Sequence, residues 1–233
     1  MSPIDRLAHA SRWRNRALVE KAVLAFGLLG LALALPPWPG GALVLTAALA
    51  AALVAGTPPG AWLRAFAPPM GFLATGVAVV ALSGEGDAVA LGVRGAAATA
   101  SLLLLAVTTP AADLVNGARR CGLSPELAET ALATYRLLFV LDETARAIHA
   151  SQVARLGTDG LGRRLRALGL LIAALLPRAL ERARRLEVGL AARGFDGTLP
   201  TIAPARPATA AGLAGAGVVL AAILLTEVLG VAL

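Results

Sequence analysis

The hydrophobic positions of this chain are concentrated in five long apolar stretches, four before residue 110 and one at the C-terminus. They run roughly over residues 22–35, 42–55, 66–82, 95–107 and 208–229. Between residues 22 and 110 only four side chains are ionisable, all in gaps between these stretches: Arg64, Glu85, Asp87 and Arg94. Lipid accommodates such stretches when every backbone N–H and C=O is paired within the protein, and the abundance of alanine and leucine favours helices over a barrel. The pattern therefore predicts an all-α integral membrane protein with about five transmembrane helices.

Three of the predicted spans have features that concern their length or packing. Residues 42–55 are short against the roughly 20 residues of a straight crossing, so this span either borrows flanking residues or lies in thinned bilayer. Pro68 and Pro69 are placed in the first turns of the third span, where N–H groups lack helical partners. In the last span, Gly212, Gly215 and Ala216 are candidates for a close-packing face.

The sequence between the fourth and fifth stretches has a helical period and many charges. A first helix is predicted to begin at Pro125 after Ser124 and to continue for about 30 residues, until residues 157–162 break the period. A second helix is predicted to end near Pro177, and a third to run over residues 178–193 and stop at Gly194. The apolar stripe of the first helix is Leu127, Ala131, Thr134, Leu138, Leu141, Ala145 and Ile148; that of the second is Leu161, Leu165, Leu168, Ile172 and Leu175.

The basic residues are unevenly distributed along the chain, which has a net charge of +7 and a mean hydropathy of +0.75. Residues 111–206 contain 14 of the 21 basic residues, and residues 1–21 form a second basic segment. The arginines are not interleaved with aromatic residues, so no nucleic-acid partner is predicted. Because basic residues accumulate on the cytoplasmic side, the N-terminus and residues 111–206 are predicted to be cytoplasmic and the C-terminus external.

These patterns predict three domains in a multi-pass protein of the inner or plasma membrane. Residues 1–110 would contain the basic head and transmembrane helices 1–4. Residues 111–206 would be cytoplasmic helices, and residues 207–233 would be the C-terminal transmembrane helix.

Residues that carry chemistry are sparse. His9 and His149 are far apart in sequence, and Cys121 is the single cysteine. Glu227, near the outer end of the last span, is interpreted as an interfacial residue because charge at membrane depth is costly. No catalytic motif or metal-ligand spacing is present, so no catalytic residue, cofactor or metal site is predicted. A membrane enzyme would need a polar cluster facing a cavity, and a channel or secondary carrier would need pore-lining polar residues or inverted repeats; neither pattern is found.

Two short patterns each place an arginine in the last turn of a predicted helix: Ala154-Arg155-Leu156-Gly157 and Ala192-Arg193-Gly194-Phe195. In one interpretation each arginine only complements the dipole at the end of its helix, which is worth about 0.3–1 kcal/mol. In the other, both arginines project into acidic grooves on a partner, because a guanidinium pairs bidentately with a carboxylate. Two equivalent arginines would suit two copies of one partner.

Several segments, in order along the chain, together resemble a known family. They are Ile4-Asp5-Arg6-Leu7-Ala8 with Lys21, Thr108-Thr109-Pro110-Ala111-Ala112-Asp113-Leu114, Cys121-Gly122-Leu123-Ser124-Pro125, Tyr135-Arg136, Ala150-Ser151-Gln152-Val153-Ala154-Arg155-Leu156-Gly157 and Leu190-Ala191-Ala192-Arg193-Gly194-Phe195. The chain resembles the transmembrane T component of energy-coupling factor (ECF) transporters, specifically the CbiQ type of cobalt uptake systems. That family has two Ala-Arg-Gly-like signatures at the ends of coupling helices.

The resemblance implies which residues contact which partners. Ala154, Arg155 and Leu156 match the first signature, with Leu156 standing before the glycine, and Ala192, Arg193 and Gly194 match the second. Through them the chain would engage two ABC-type ATPase subunits, while a substrate-binding membrane subunit would hold the metal. The implied function is that of a non-catalytic coupling subunit of an ATP-driven importer for a divalent metal ion, most directly cobalt. Nickel or vitamin uptake, and a free-standing secondary carrier, are the alternatives.

Overall fold

The computed structural model describes residues 3–84, 86–155, 160–194 and 207–231. Every regular element in these ranges is a helix, which confirms the all-α prediction. The chain forms two compact units. Ser2–Gly117 and Ala203–Leu233 make up the first, here called the membrane unit, and Ala118–Ile202 make up the second, called the hairpin unit.

Nine α-helices occur within the described ranges. In chain order they are α1 (Pro3–Ala10), α2 (Leu18–Ala34), α3 (Ala42–Val54), α4 (Pro59–Ser83), α5 (Ala88–Thr108), α6 (Ala111–Arg120), α7 (Pro125–Ala154), α8 (Leu161–Ala191) and α9 (Ala210–Val231). A 3-10 turn at Arg12–Asn15 joins α1 to α2, and Pro37–Gly41 leads into α3. The helices α1 to α5 and α9 build the membrane unit, α7 and α8 build the hairpin unit, and α6 contains the boundary.

The centre of the membrane unit is α5, which packs against α1, α2, α3 and α4. Its buried face includes Ala97, Ala100, Leu104 and Val107. Small residues at such contacts let neighbouring backbones approach closely, which favours helix association in lipid, where hydrophobic burial supplies no driving force. The last helix, α9, packs mainly against α2.

Hydrogen bonds hold one end of the membrane unit together. The backbone N–H of Arg12 donates to the carbonyl of Ala55 at the end of α3 (2.9 Å), and the Ser11 hydroxyl donates to the same oxygen (3.1 Å). The buried ammonium of Lys21 donates to the carbonyl of Thr108 at the end of α5 (2.9 Å). Because a buried charge needs a polar partner, this contact fixes the start of α2 beside the end of α5.

The start of α9 is attached to the same end. Glu20 on α2 is buried, and its Oε1 accepts from the backbone N–H of Thr209 (2.7 Å) and from the Thr209 hydroxyl (2.9 Å). The Thr209 hydroxyl oxygen accepts from the backbone N–H of Gly212 (3.1 Å) and caps α9, so Glu20 holds the capping residue in place.

Four of the five predicted spans are long and apolar enough to cross a membrane. Among the described residues these are Pro37–Val54, Pro59–Ser83, Ala88–Thr108 and Ala210–Leu229. The first predicted span, residues 22–35, belongs to α2, which has 17 residues. At 1.5 Å per residue α2 is about 26 Å long, against about 30 Å for the hydrocarbon core. The multi-pass prediction is therefore confirmed for four helices, and α2 is slightly shorter than the hydrocarbon core.

Three predicted span boundaries differ from the structure. The short second span borrows its N-terminal flank, so that the apolar segment begins at Pro37. In α4 the helix begins at Pro59, which places Pro68 and Pro69 in the interior and not in the first turns. The fourth span begins earlier than residue 95, because the Asp87 carboxylate accepts from the N–H groups of Val89 (2.9 Å) and Ala90 (3.0 Å) and caps α5 there.

Polar and small positions of α9 lie in distinct surroundings. The Glu227 side chain is buried within the protein and lies against Gly40, where a Cβ would collide with the carboxylate; its interfacial depth stays a prediction. Of the predicted close-packing face, Ala216 is buried and Gly212 lies against Glu20, whereas a Cβ on Gly215 would meet open space. The small residues of α9 therefore face two different environments.

The hairpin unit contains two long helices where the sequence predicted three. Pro177 lies inside α8, and Leu161–Ala191 is one continuous helix. Proline in a helix interior removes one hydrogen bond and costs about 3 kcal/mol. Here α8 contacts α7 on both sides of Pro177, near Ala167 and near Leu190. These contacts on both sides offset the local cost, so the predicted break near Pro177 is wrong.

Candidate functional site

The first helix of the hairpin begins as the sequence predicted. Pro125 is its first residue, and the Ser124 hydroxyl oxygen accepts from the backbone N–H of Leu127 (3.4 Å). A hydrogen bond from its own backbone N–H, together with one from Ser124, holds the pKa of the Glu126 carboxyl below its ordinary value. A negative charge in the first turn favours the helix, so α7 has a well-defined start.

The two helices of the hairpin unit are antiparallel. Near the end of α7, the side-chain amide of Gln152 donates to the carbonyl of Ala167 in the first turns of α8 (2.8 Å). Near the start of α7, Glu129 lines a cavity of about 390 Å³ together with Leu190 and Arg193 from the end of α8. The C-terminal end of each helix therefore lies beside the N-terminal part of the other.

The first predicted contact motif lies at the end of α7. Ala154 is the last residue of the helix, and the backbone N–H of Arg155 donates to the carbonyl of Ser151 (3.3 Å). The side chains of Ala154 and Arg155 are exposed. Leu156, the third residue of the motif, lies outside the described residues.

The second predicted motif lies at the end of α8. The backbone N–H of Ala192 donates to the carbonyl of Val188 (2.9 Å), and that of Arg193 donates to the carbonyl of Leu190 (3.0 Å). Gly194 follows with φ +71°, a left-handed conformation that glycine adopts without strain. The prediction that Gly194 ends the helix is confirmed, and Ala192, Arg193 and Gly194 are all exposed.

The structure does not bring the two arginines together. Arg155 lies three residues beyond Gln152, which contacts Ala167, whereas Arg193 is 26 positions further along α8 than Ala167. At 1.5 Å per residue this places the two arginines on the order of 40 Å apart, at opposite ends of the hairpin. A single small binding site cannot include both, but two separate contacts on a larger assembly can.

The predicted apolar stripes are exposed only in part, since Ala131, Leu141, Ala145, Ile148 and Leu175 are half-buried. Leu127 and Leu138 of α7 are 61% and 56% exposed, and Leu161, Leu165 and Ile172 of α8 are 76%, 61% and 57% exposed. The buried residues of α7 are instead Ala128, Glu129 and Leu132. Large apolar side chains exposed along both helices favour an interaction with protein or membrane.

The buried carboxylate of Glu129 was not identified from the sequence. It is 6% exposed, its Oε1 has no hydrogen-bond partner within the described part of the chain, and it shares its cavity with Arg136, Arg182 and Arg193. Nothing in the spacing of α7 distinguishes this glutamate from an exposed one such as Glu143.

The remaining candidate residues are scattered. His9 lies in α1 with its Nδ1 2.8 Å from the carbonyl of Asp5, His149 is exposed on α7, and Cys121 is exposed after α6. No group of three metal-ligating side chains occurs within the described ranges.

These features define a multi-pass, all-helical membrane protein that carries a long helical hairpin with an exposed arginine at each end. The sequence profile of the CbiQ family, described as a cobalt transport protein, matches residues 10–89 and 83–202. The chain is 46% identical over 220 residues to the cobalt transport protein CbiQ of Rhodobacter capsulatus, covering 89% of this chain and 90% of the relative. It is 28% identical over 221 residues to the cobalt transport protein CbiQ of Salmonella typhimurium, covering 84% and 98%. The chain belongs to the CbiQ family, which confirms the resemblance seen in the sequence.

Proposed function

We propose that this chain is the transmembrane coupling subunit of an ATP-driven importer of the ECF type, and that the imported ion is cobalt. It is a membrane component related to cobalt transport proteins. The observation that carries the finer proposal is the pair of exposed arginines about 40 Å apart at the ends of two long helices. Such a pair fits two separate ATPase subunits better than it fits a catalytic or metal-binding site within the chain.

Each arginine would bind an acidic groove on one ATPase subunit. The motifs would consist of Ala154, Arg155 and Leu156 for one subunit and Ala192, Arg193 and Gly194 for the other. Small neighbours at the exposed helix ends leave the guanidinium free to pair bidentately with a carboxylate. The resemblance of both motifs to the two signatures of the family favours partner contacts over a role as dipole partners alone.

The continuous course of α8 gives the proposed coupling a mechanical basis. Since residues 161–191 form one helix, a displacement at its Arg193 end is transmitted to its Leu161 end without a break at Pro177. The second helix, α7, runs antiparallel and carries Arg155 at its opposite end. ATP-driven approach of two ATPases would thus move both ends of the hairpin.

The exposed apolar faces of α7 and α8 would contact the substrate-binding membrane subunit. Leu161, Leu165 and Ile172 lie on one such face, which is costly in water and typical of an interface. The metal would be bound by that partner, and ATP hydrolysis would occur in the ATPases. The chain would lie in the inner or plasma membrane with its N-terminus and residues 111–206 in the cytoplasm, as the positive-inside rule predicts. Nickel, or a vitamin, remains the alternative substrate.

The test is affinity purification of the chain from its own membrane, combined with cobalt uptake by the same cells. We expect two ABC-type ATPase subunits and one further membrane protein to co-purify. The double variant Arg155→Ala/Arg193→Ala should insert into the membrane, lose the ATPases and abolish uptake, and Arg193→Lys should also be impaired because an ammonium lacks the planar fork. Full cobalt uptake by the double variant would refute the proposal, and selective nickel accumulation would transfer it to nickel.

A further inference from the structure

The membrane unit contains a cavity of about 660 Å³ among the 3-10 turn, α2, α3 and α9. This volume is within the roughly 300–1,000 Å³ of small-molecule sites. Along α9 the lining extends from Thr209 to Val219, ten residues or about 15 Å. The cavity is therefore deep enough for an elongated ligand.

The two ends of the cavity have different chemistry. At one end lie Arg16, Glu20 and Lys21, which together leave a net charge of +1. The rest of the lining consists of aliphatic and small side chains such as Leu24, Ala47 and Val219. A ligand that fits this gradient has an anionic head and an apolar tail.

The charged end presents the Arg16 guanidinium, which acts on Glu20 through its charge and packs on Trp13. Glu20 is occupied by Thr209 (2.7 and 2.9 Å), and the Lys21 ammonium donates to the carbonyl of Thr108 (2.9 Å). No ion pair of Arg16 occurs among the described residues. Its guanidinium lies 4.8 Å from the ring centre of Trp13, an arrangement in which the aromatic face attracts the cation.

The indole that holds Arg16 is itself fixed. Trp13 is buried, and its backbone N–H donates to the Ser11 hydroxyl oxygen (3.2 Å). That hydroxyl in turn donates to the carbonyl of Ala55 at the end of α3 (3.1 Å). The guanidinium is therefore held at the mouth of the cavity before any ligand arrives, which lowers the cost of binding.

We propose that this cavity binds one anionic phospholipid, with the phosphate at Arg16 and an acyl chain along α3 and α9. The membrane unit lies in a bilayer, where lipid is the most abundant amphipath, and basic residues at its surface attract anionic head groups. The proposal does not depend on the ATPases or on the transported ion.

The glycines of α9 offer a matched pair of variants for the test. Gly215 lines the cavity, and Gly217 does not; a Cβ on either would meet no atom within 4 Å. Gly215→Leu should fill part of the cavity without a clash, and Gly217→Leu should leave it open. Arg16→Gln has an equivalent control in Arg14→Gln, since Arg14 is exposed on the same turn but does not line the cavity.

The experiment titrates the purified full-length chain in detergent with phosphatidylglycerol or phosphatidylcholine and counts bound lipids by native mass spectrometry. We expect one tight phosphatidylglycerol site. Arg16→Gln should weaken it by about fivefold, the contribution of one basic residue to an anionic head group, and Gly215→Leu should weaken both lipids. Arg14→Gln and Gly217→Leu should bind as the wild type does.

Three results would overturn the proposal. Equal affinity for the two lipids, unchanged by Arg16→Gln, would show that no head-group site exists. Displacement of phosphatidylglycerol by inorganic phosphate alone would indicate a free-anion site. Loss of a co-purifying membrane subunit in Gly215→Leu, with lipid binding intact, would assign the cavity to a partner helix. Circular dichroism of each variant checks that its helices are retained.

Discussion

The separation of the two arginines predicts that the ATPase contacts are energetically independent. Arg155 and Arg193 lie about 40 Å apart by helix length, whereas charges are screened over about 8 Å at physiological ionic strength. Substitutions this far apart, with no shared partner, usually have additive effects within about 0.5 kcal/mol. Each single substitution should therefore remove one ATPase contact and leave the other unchanged.

The size of each effect follows from the chemistry of a buried interfacial charge pair. Truncating one partner of such a pair costs about 2–5 kcal/mol, which corresponds to a loss of affinity of roughly 30- to 4,000-fold. Native mass spectrometry of the chain with its ATPases, without nucleotide so that the ATPases do not pair with each other, counts the bound copies. We expect two copies on the wild type, one on Arg155→Ala or Arg193→Ala, and none on the double variant.

The matched control is Arg184→Ala. Arg184 is exposed and lies about two turns before the end of α8. It has the same charge as Arg193 but does not lie at the helix end, so two ATPase copies should remain bound to this variant. If either single variant lost both copies, the two ends would belong to one shared site. If the double variant kept both, the arginines would serve only their own helix ends, and the reasoning from their exposure would be refuted.

Two further predictions concern local structure. Gly194→Ala should destabilise the end of α8 by about 1–2 kcal/mol because φ is +71° there. Gly189→Ala, at a position in α8 where a Cβ meets open space, should instead stabilise the helix by about 1 kcal/mol. Hydrogen exchange of residues 186–194 measures both changes, and equal effects of the two variants would contradict a left-handed conformation at Gly194. Asp87→Ala should cost about 1 kcal/mol by removing the cap of α5. Asp87→Asn should retain most of that stability in a thermal unfolding assay, and a larger loss for Asn than for Ala would exclude the capping role.

The apolar periodicity predicted the membrane helices but not their ends. The sequence predicts a start of α5 at residue 95, because Asp87 and Arg94 suggest a polar loop, whereas the helix begins at Ala88. In the structure Asp87 caps the helix, and the Arg94 guanidinium donates to the carbonyl of Leu35 (3.2 Å). A membrane helix can contain charged residues near its end when these residues form hydrogen bonds, as Arg94 does with the distant Leu35. A single sequence does not reveal such long-range contacts.

The start of α7 and the end of α8 were predictable from the sequence, whereas the packing of the two helices was not. The Ser124-Pro125 start and the Gly194 end of the hairpin are local signals, since a cap or a left-handed glycine depends on a few neighbouring atoms. Pro177 is also a local signal, but here tertiary contacts on both sides outweigh it. The burial of Glu129 and the exposure of Leu161 depend on which faces of α7 and α8 meet, and periodicity does not determine that choice.

The hydrogen bonds at the charged end of the membrane unit have a topological consequence. Arg12 is bonded to Ala55, Lys21 to Thr108, and Glu20 to Thr209, so positions 12, 21, 55, 108 and 209 share one side of the bilayer. A chain that returns to its starting side must traverse the membrane an even number of times, and one traversal between residues 21 and 55 is made by Pro37–Val54. We therefore expect the 17-residue α2 to supply the other, which would bring the number of traversals from four to five.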